Sequence, residues 1–191
     1  MTGYKKENLV FIGLTSTGKS TTAKGVADRL DMAFVDLDDV VERLHVAERG
    51  HPRRCREIVS LFGRECFIDY ERRGLLSLRD REGPVIATGG GTPMDEESRR
   101  LIRELGPVIY LLSPPQVIYR RMASKGFPYY LGANPSVEAL GEVWNARHPV
   151  YADLADLVID STSLGPEETV QAVVDQLATR DSFVPRRALS R

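Results

Sequence analysis

Gly13-Leu14-Thr15-Ser16-Thr17-Gly18-Lys19-Ser20 sets two glycines, a lysine and a hydroxyl at the spacing G-x-x-x-x-G-K-[ST]. A chain that curls at such glycines turns its backbone N–H groups toward one point, and a helix beginning there adds positive potential. The group suited to that point is a phosphate chain. Lys19 would reach the β- and γ-phosphates, and the Ser20 hydroxyl would ligate Mg²⁺. The candidate nucleotide-binding set is therefore Gly13, Thr15, Ser16, Thr17, Gly18, Lys19, Ser20 and Thr21, with ATP and Mg²⁺ as cofactors.

Three further features suit an acceptor. Asp36 and Asp38 stand at i and i+2 at the carboxyl end of a predicted strand, where alternate residues share a face, so both carboxylates would look toward the phosphates. Asp38 suits the role of general base or orienting group, because phosphoryl transfer asks mainly for positioning and charge stabilisation. Gly89, Gly90 and Gly91 offer bare backbone to a ligand, and Arg147 lies far along the chain in A-R-H-P-V-Y. Each has a plain structural reading when taken singly; their order behind the phosphate motif joins them.

These residues need strands that end together. Apolar runs predict strands at Leu9–Ile12, Ala33–Leu37, Pro84–Ala87, Val108–Leu112 and Leu157–Asp160. Helical spacing covers Lys19–Leu30, a short helix from Val40 to Leu44, Ile58–Leu78 with a break at Gly63, Asp95–Leu105, Pro114–Ser124, Val137–Ala146 and Glu167–Ala178. Strands alternating with helices predict an α/β fold, a parallel sheet covered on both faces in three layers. One domain over residues 1–180 accounts for the pattern, with 181–191 as a frayed tail carrying Arg186, Arg187 and Arg191.

Composition narrows the class. The 191 residues carry 26 Lys plus Arg against 27 Asp plus Glu, a net charge of −1, which argues against a nucleic-acid binder. No apolar run reaches the ~18–20 residues of a membrane span. Cys55 and Cys66 have neither zinc spacing nor a disulfide framework, so a reduced, cytoplasmic, monomeric protein is expected.

The pieces GLTSTGKST, VDLDD, LFGRECFIDYE, ATGGGTP and ARHPVYADLAD, in this order from about Leu9 to Ala178, resemble the shikimate kinase family. The resemblance implies a P-loop, nucleoside-monophosphate-kinase-like fold with a lid at about 125–135 and a small acceptor region. It implies that Asp36 helps hold Mg²⁺ through water and that Asp38 contacts the hydroxyl receiving the phosphate. It further places Glu71, Gly89, Gly90, Gly91 and Arg147 at the acceptor, and Arg120 against adenine.

Two positions depart from the family pattern. Where the family has F-R-x-x-E, this chain reads Phe67-Ile68-Asp69-Tyr70-Glu71. Where the family's lid has an arginine before proline, it reads Phe127-Pro128, leaving Arg120, Arg121 or Lys125 to take that role. Loss of a buried charge partner costs about 2–5 kcal/mol, and a buried Glu71 without arginine calls for a cation or a proton. An ammonium would serve, and the expected acceptor is accordingly a small hydroxy amino acid, homoserine foremost. Shikimate, with Arg53, Arg54 or Arg56 refilling the site, is the alternative; a nucleotide-binding module without catalysis is another.

Overall fold

The structure is a computed structural model and describes residues 8–81, 83–124 and 126–179. Five strands form one parallel sheet in the order β2-β3-β1-β4-β5. They are β1 Leu9–Ile12, β2 Ala33–Asp36, β3 Pro84–Ala87, β4 Val108–Leu112 and β5 Leu157–Asp160. Among the described residues seven α-helices connect and follow them: α1 Lys19–Leu30, α2 Leu37–Arg49, α3 Cys55–Leu78, α4 Glu96–Leu105, α5 Pro115–Ala123, α6 Val137–Leu154 and α7 Pro166–Ala178.

The alternation of side chains along each central strand builds the three layers. Leu9 and Phe11 of β1, with Ile109 and Leu111 of β4, meet Ala23 and Val26 of α1 and Val173 of α7 on one face. Val10, Ile12, Val108 and Tyr110 point the other way, to a core shared with α2 through α6. Both strands are therefore apolar at every position, as a sheet covered on both faces requires.

Register aligns the carboxyl ends that carry the chemistry. Phe11 pairs with Ala87, and Ala87 with Asp36, so the loops after β1, β2 and β3 rise from one edge. Thr88 ties two of them, its N–H and hydroxyl both donating to Phe11 O at 3.1 Å. Ligands in open α/β sheets bind at that edge.

Several boundaries differ from the sequence expectation. β2 stops at Asp36, because its carboxylate accepts the Asp38 N–H at 3.1 Å and caps α2, which takes Leu37 and Asp38 into its first turn. α2 then runs to Arg49, past Leu44, until Gly50 turns left-handed at φ 76°. α6 continues beyond Ala146 to Leu154 with Pro149 inside it. Burial of Tyr151 and Leu154 outweighs the backbone hydrogen bond that proline cannot make. The break at Gly63 is as expected: with φ 83° and ψ 168° it splits α3 into two pieces. Among the described residues no helix is long and apolar enough to cross a membrane. The tail at 181–191 lies outside the described residues.

Candidate active site

The loop between β1 and α1 wraps the start of α1, with Ser16 at φ 66° and Gly18, the N-cap, at φ 101°. Thr17 braces it by donating its hydroxyl to Leu14 O at 2.8 Å. Lys19 is 7% exposed, and its ammonium donates to Leu14 O at 2.8 Å. Burial lowers Lys19 to about 8, while Asp38 and Asp36 pull the other way. A cation kept dry this way is poised for an anion. Ser20 donates to Asp36 Oδ2 at 2.7 Å, so a hydroxyl and a carboxylate oxygen adjoin at the loop's mouth.

Those two oxygens fit Mg²⁺, which takes one or two protein ligands and fills its octahedron with phosphate oxygens and waters. Among the described residues no cluster of three or more His, Cys, Asp or Glu forms a metal cage. The donor set therefore suits a metal that arrives with a phosphate chain.

The acceptor side gathers around Gly89 and Gly90. A Cβ on Gly89 would lie 3.0 Å from Glu71 Oε1, 3.0 Å from Thr92 Oγ1 and 3.4 Å from Asp38 Oδ1. One on Gly90 would lie 2.8 Å from both the N and Oγ1 of Thr15. Only a bare backbone fits between these groups. Gly91, by contrast, is exposed with open space around it.

Asp38 is raised to about 6, by desolvation of its carboxylate first and by Asp36 second, against the pull of Lys19. Asp38 stands exposed in the first turn of α2, with its Oδ1 3.4 Å from where a Gly89 Cβ would lie. Glu71, 3% exposed, accepts the Thr92 hydroxyl at 2.5 Å, and burial raises it to about 7. Cys55 crowds the same corner, its Sγ 3.5 Å from Asp38 O; burial and then the carboxylates of Asp38 and Glu42 push its thiol well up.

Arg147 approaches from α6. Its NH1 donates to Gly90 O at 3.1 Å, and the Tyr151 hydroxyl donates to the same oxygen at 2.5 Å. Trp144, one turn earlier, donates its indole N–H to Ser113 O at 3.0 Å and stacks on His148 at 4.3 Å. His148 in turn meets the Tyr110 hydroxyl of β4 at 3.0 Å. These aromatic contacts fix the helix that presents Arg147.

The arginine at the nucleotide side is Arg121. It donates to Thr17 O at 3.1 Å, to Ser113 Oγ at 3.3 Å and to Ser161 O at 3.1 Å, and it lines a cavity of about 220 Å³ beside Gly18 and Thr21. Arg120 points to solvent on α5 and does not line that cavity. Helical phase carries the distinction: Arg121 follows the buried Ile118 by three residues, whereas Arg120 sits on the opposite side. Thr92 was missed altogether, since nothing in T-P-M flags a partner for a distant glutamate.

Arg53 and Arg54 do not refill the acceptor side. They pair with Glu57 at 3.7 Å and Glu42 at 3.1 Å, and Arg56 is exposed. A positive charge that acts on Glu71 is that of Arg64, just after the Gly63 break. Lys125 lies outside the described residues.

Comparison with known proteins agrees on one family. The family model "Shikimate kinase" matches residues 15–178. A shikimate kinase of Ralstonia nicotianae is 35% identical over 184 residues, 96% of this chain and 93% of that protein. One of Geobacter sulfurreducens is 36% identical over 173 residues, 90% of this chain and 89% of that protein. The fold matches a solved shikimate kinase from Acinetobacter baumannii in complex with shikimate at TM-score 0.82, with 24% identity over 93% of this chain and 96% of that one.

These relatives overturn homoserine as the expected acceptor. An ammonium on the acceptor would be called for only if Glu71 lacked any compensation. Instead Thr92 donates to that carboxylate and burial holds its proton to near neutrality, so no ammonium is needed. The non-catalytic alternative falls too. By sequence and by fold the chain belongs to the shikimate kinase family, phosphotransferases that use ATP with Mg²⁺ and a hydroxyl group as acceptor.

Proposed function

We propose that the chain phosphorylates a hydroxyl of shikimate at the expense of ATP. The observation that carries this reading is that Asp38, Glu71 and Arg147 meet the Gly89–Gly90 backbone, with Lys19 within electrostatic reach of Asp38 and Arg147. Loop amides and Lys19 would hold the phosphates, and Ser20 and Asp36 would hold Mg²⁺, which would neutralise charge on the transferring group. Arg147 takes the acceptor carboxylate, for which a planar fork of donors is the natural match. Asp38 accepts a hydrogen bond from the attacking hydroxyl and orients it; a carboxylate near 6 is ionised at neutral pH and basic enough to take the proton as transfer proceeds.

Arg121, not Arg120, lines the base side of the nucleotide site in this reading. Glu71 buttresses Gly89 and Thr92 rather than binding a cation. The residues at about 125–135 serve as lid, and the chain acts as a cytoplasmic monomer with Cys55 and Cys66 as free thiols. The decisive experiment is a coupled assay of ADP release with Mg·ATP and shikimate, with the product identified by mass spectrometry. Turnover that depends on shikimate is expected, and its absence under saturating ATP would sink the reading.

A further inference from the structure

Arg147 has a neighbour that the phosphoryl-transfer reading does not use. The guanidinium carbon of Arg147 lies 4.9 Å from the ring centroid of Tyr130, within cation–π range. Tyr130 belongs to the single 3-10 turn Tyr129–Leu131. That turn is anchored in the core: Leu131 is 6% exposed, and its N–H donates to Pro128 O at 3.1 Å. The flanks of the segment are pinned by α5. Phe127 packs on Tyr119 at 4.9 Å between centroids, and the Tyr119 hydroxyl donates to Pro135 O at 3.0 Å. The ring over Arg147 is thus held from both sides.

A guanidinium centred 4.9 Å from an aromatic ring is held there by the ring, while its N–H donors lie in its own plane. One of those donors is already on Gly90 O, which sets the rotation of the group. Ring and carbonyl together restrict where the remaining donors can point. This order matters because an unheld arginine side chain would have to surrender its rotamer freedom on binding.

We propose that Tyr130 is a positioning residue for acceptor recognition: its ring holds the Arg147 guanidinium in the orientation that receives the acceptor carboxylate. Phe127 and Tyr130 then make this lid an aromatic one, acting through an arginine on α6. The inference rests on the assignment of Arg147 to the acceptor, so its test must separate the two.

Y130A, Y130F, R147A and the double variant Y130A/R147A are assayed for shikimate KM and ATP KM, with a thermal melt for each. R147A is expected to raise shikimate KM by about 30-fold or more. Y130A is expected to raise it by about 3- to 30-fold, the range of a cation–π contact, with ATP KM within about twofold of wild type. Y130F keeps the ring and should restore shikimate KM. In the R147A background, Y130A should add less than about twofold, because the group it positions is gone. A strong R147A effect with an unchanged KM in Y130A overturns the role of Tyr130 alone. So does an equal multiplicative effect of Y130A in both backgrounds, or an equal rise in both KM values, which would mark a general loosening of the segment. An unchanged KM in R147A overturns the acceptor assignment of Arg147 and this inference with it.

Discussion

The phosphate side and the acceptor side of the cleft are built by opposite means. The first comes from one contiguous loop, whose ligating groups are mostly its own amides plus Lys19 and Ser20. The second borrows one side chain each from α2, α3 and α6 and lays them on a glycine backbone after β3. A contiguous loop has few ways to vary and still curl around an anion. A site assembled from separate elements can exchange each contribution independently. The two sides meet at Gly90, whose Cα faces Thr15 while its carbonyl takes Arg147 and Tyr151.

The largest expected effect falls on the phosphate side. K19A should lower kcat/KM for the ATP reaction by ~10³-fold or more, because it removes a desolvated cation from the developing charge. Residual activity above a tenth of wild type would break the distinction between the two sides. D38N comes next, at about a hundredfold in kcat. It also tests the pH dependence. Wild-type kcat/KM should rise as Asp38 loses its proton through about 6 and fall as Lys19 loses its own through about 8. D38N should remove the acid limb and keep the alkaline one; an unchanged acid limb would assign it to another group.

Gly90 gives a smaller and more diagnostic effect. In G90A the new methyl meets Thr15 at 2.8 Å, an overpacking that should cost ~1–3 kcal/mol in urea unfolding. Because the position belongs to both sides, the KM values for ATP and acceptor should rise together; a rise in only one would show that the sides are separable there. The smallest effect is expected from E71Q. Glu71 is raised from 4.5 to about 7, so the folded state binds the extra proton and wild-type stability declines as pH climbs through that window. E71Q should lack this decline, a difference of about 2 kcal/mol between pH 5 and pH 7.5. Identical pH slopes in the two proteins would mean that Glu71 stays ionised.

The same contrast explains what was legible in the sequence. The loop motif, the five strands and their parallel, two-sided packing follow from local spacing and periodicity. Asp36 was visible as an acidic strand end, but its capping of α2 was not, and capping is what moves Asp38 from strand to helix. Pro149 reads as a helix stop, yet buried Tyr151 carries α6 through it and so brings a second donor to Gly90 O. The hardest feature to foresee was Thr92 on Glu71, a contact spanning 21 positions that decides whether a buried carboxylate needs a cation. Composition cannot report such pairings, because they exist only once the chain has folded.

Cys55 shows a different consequence of crowding carboxylates around an acceptor. Thiols are oxidised and alkylated as thiolates, and the burial and negative field around Cys55 keep its sulfur protonated. The acidity that serves the hydroxyl of a substrate also makes this sulfur a poor target for peroxide or electrophiles.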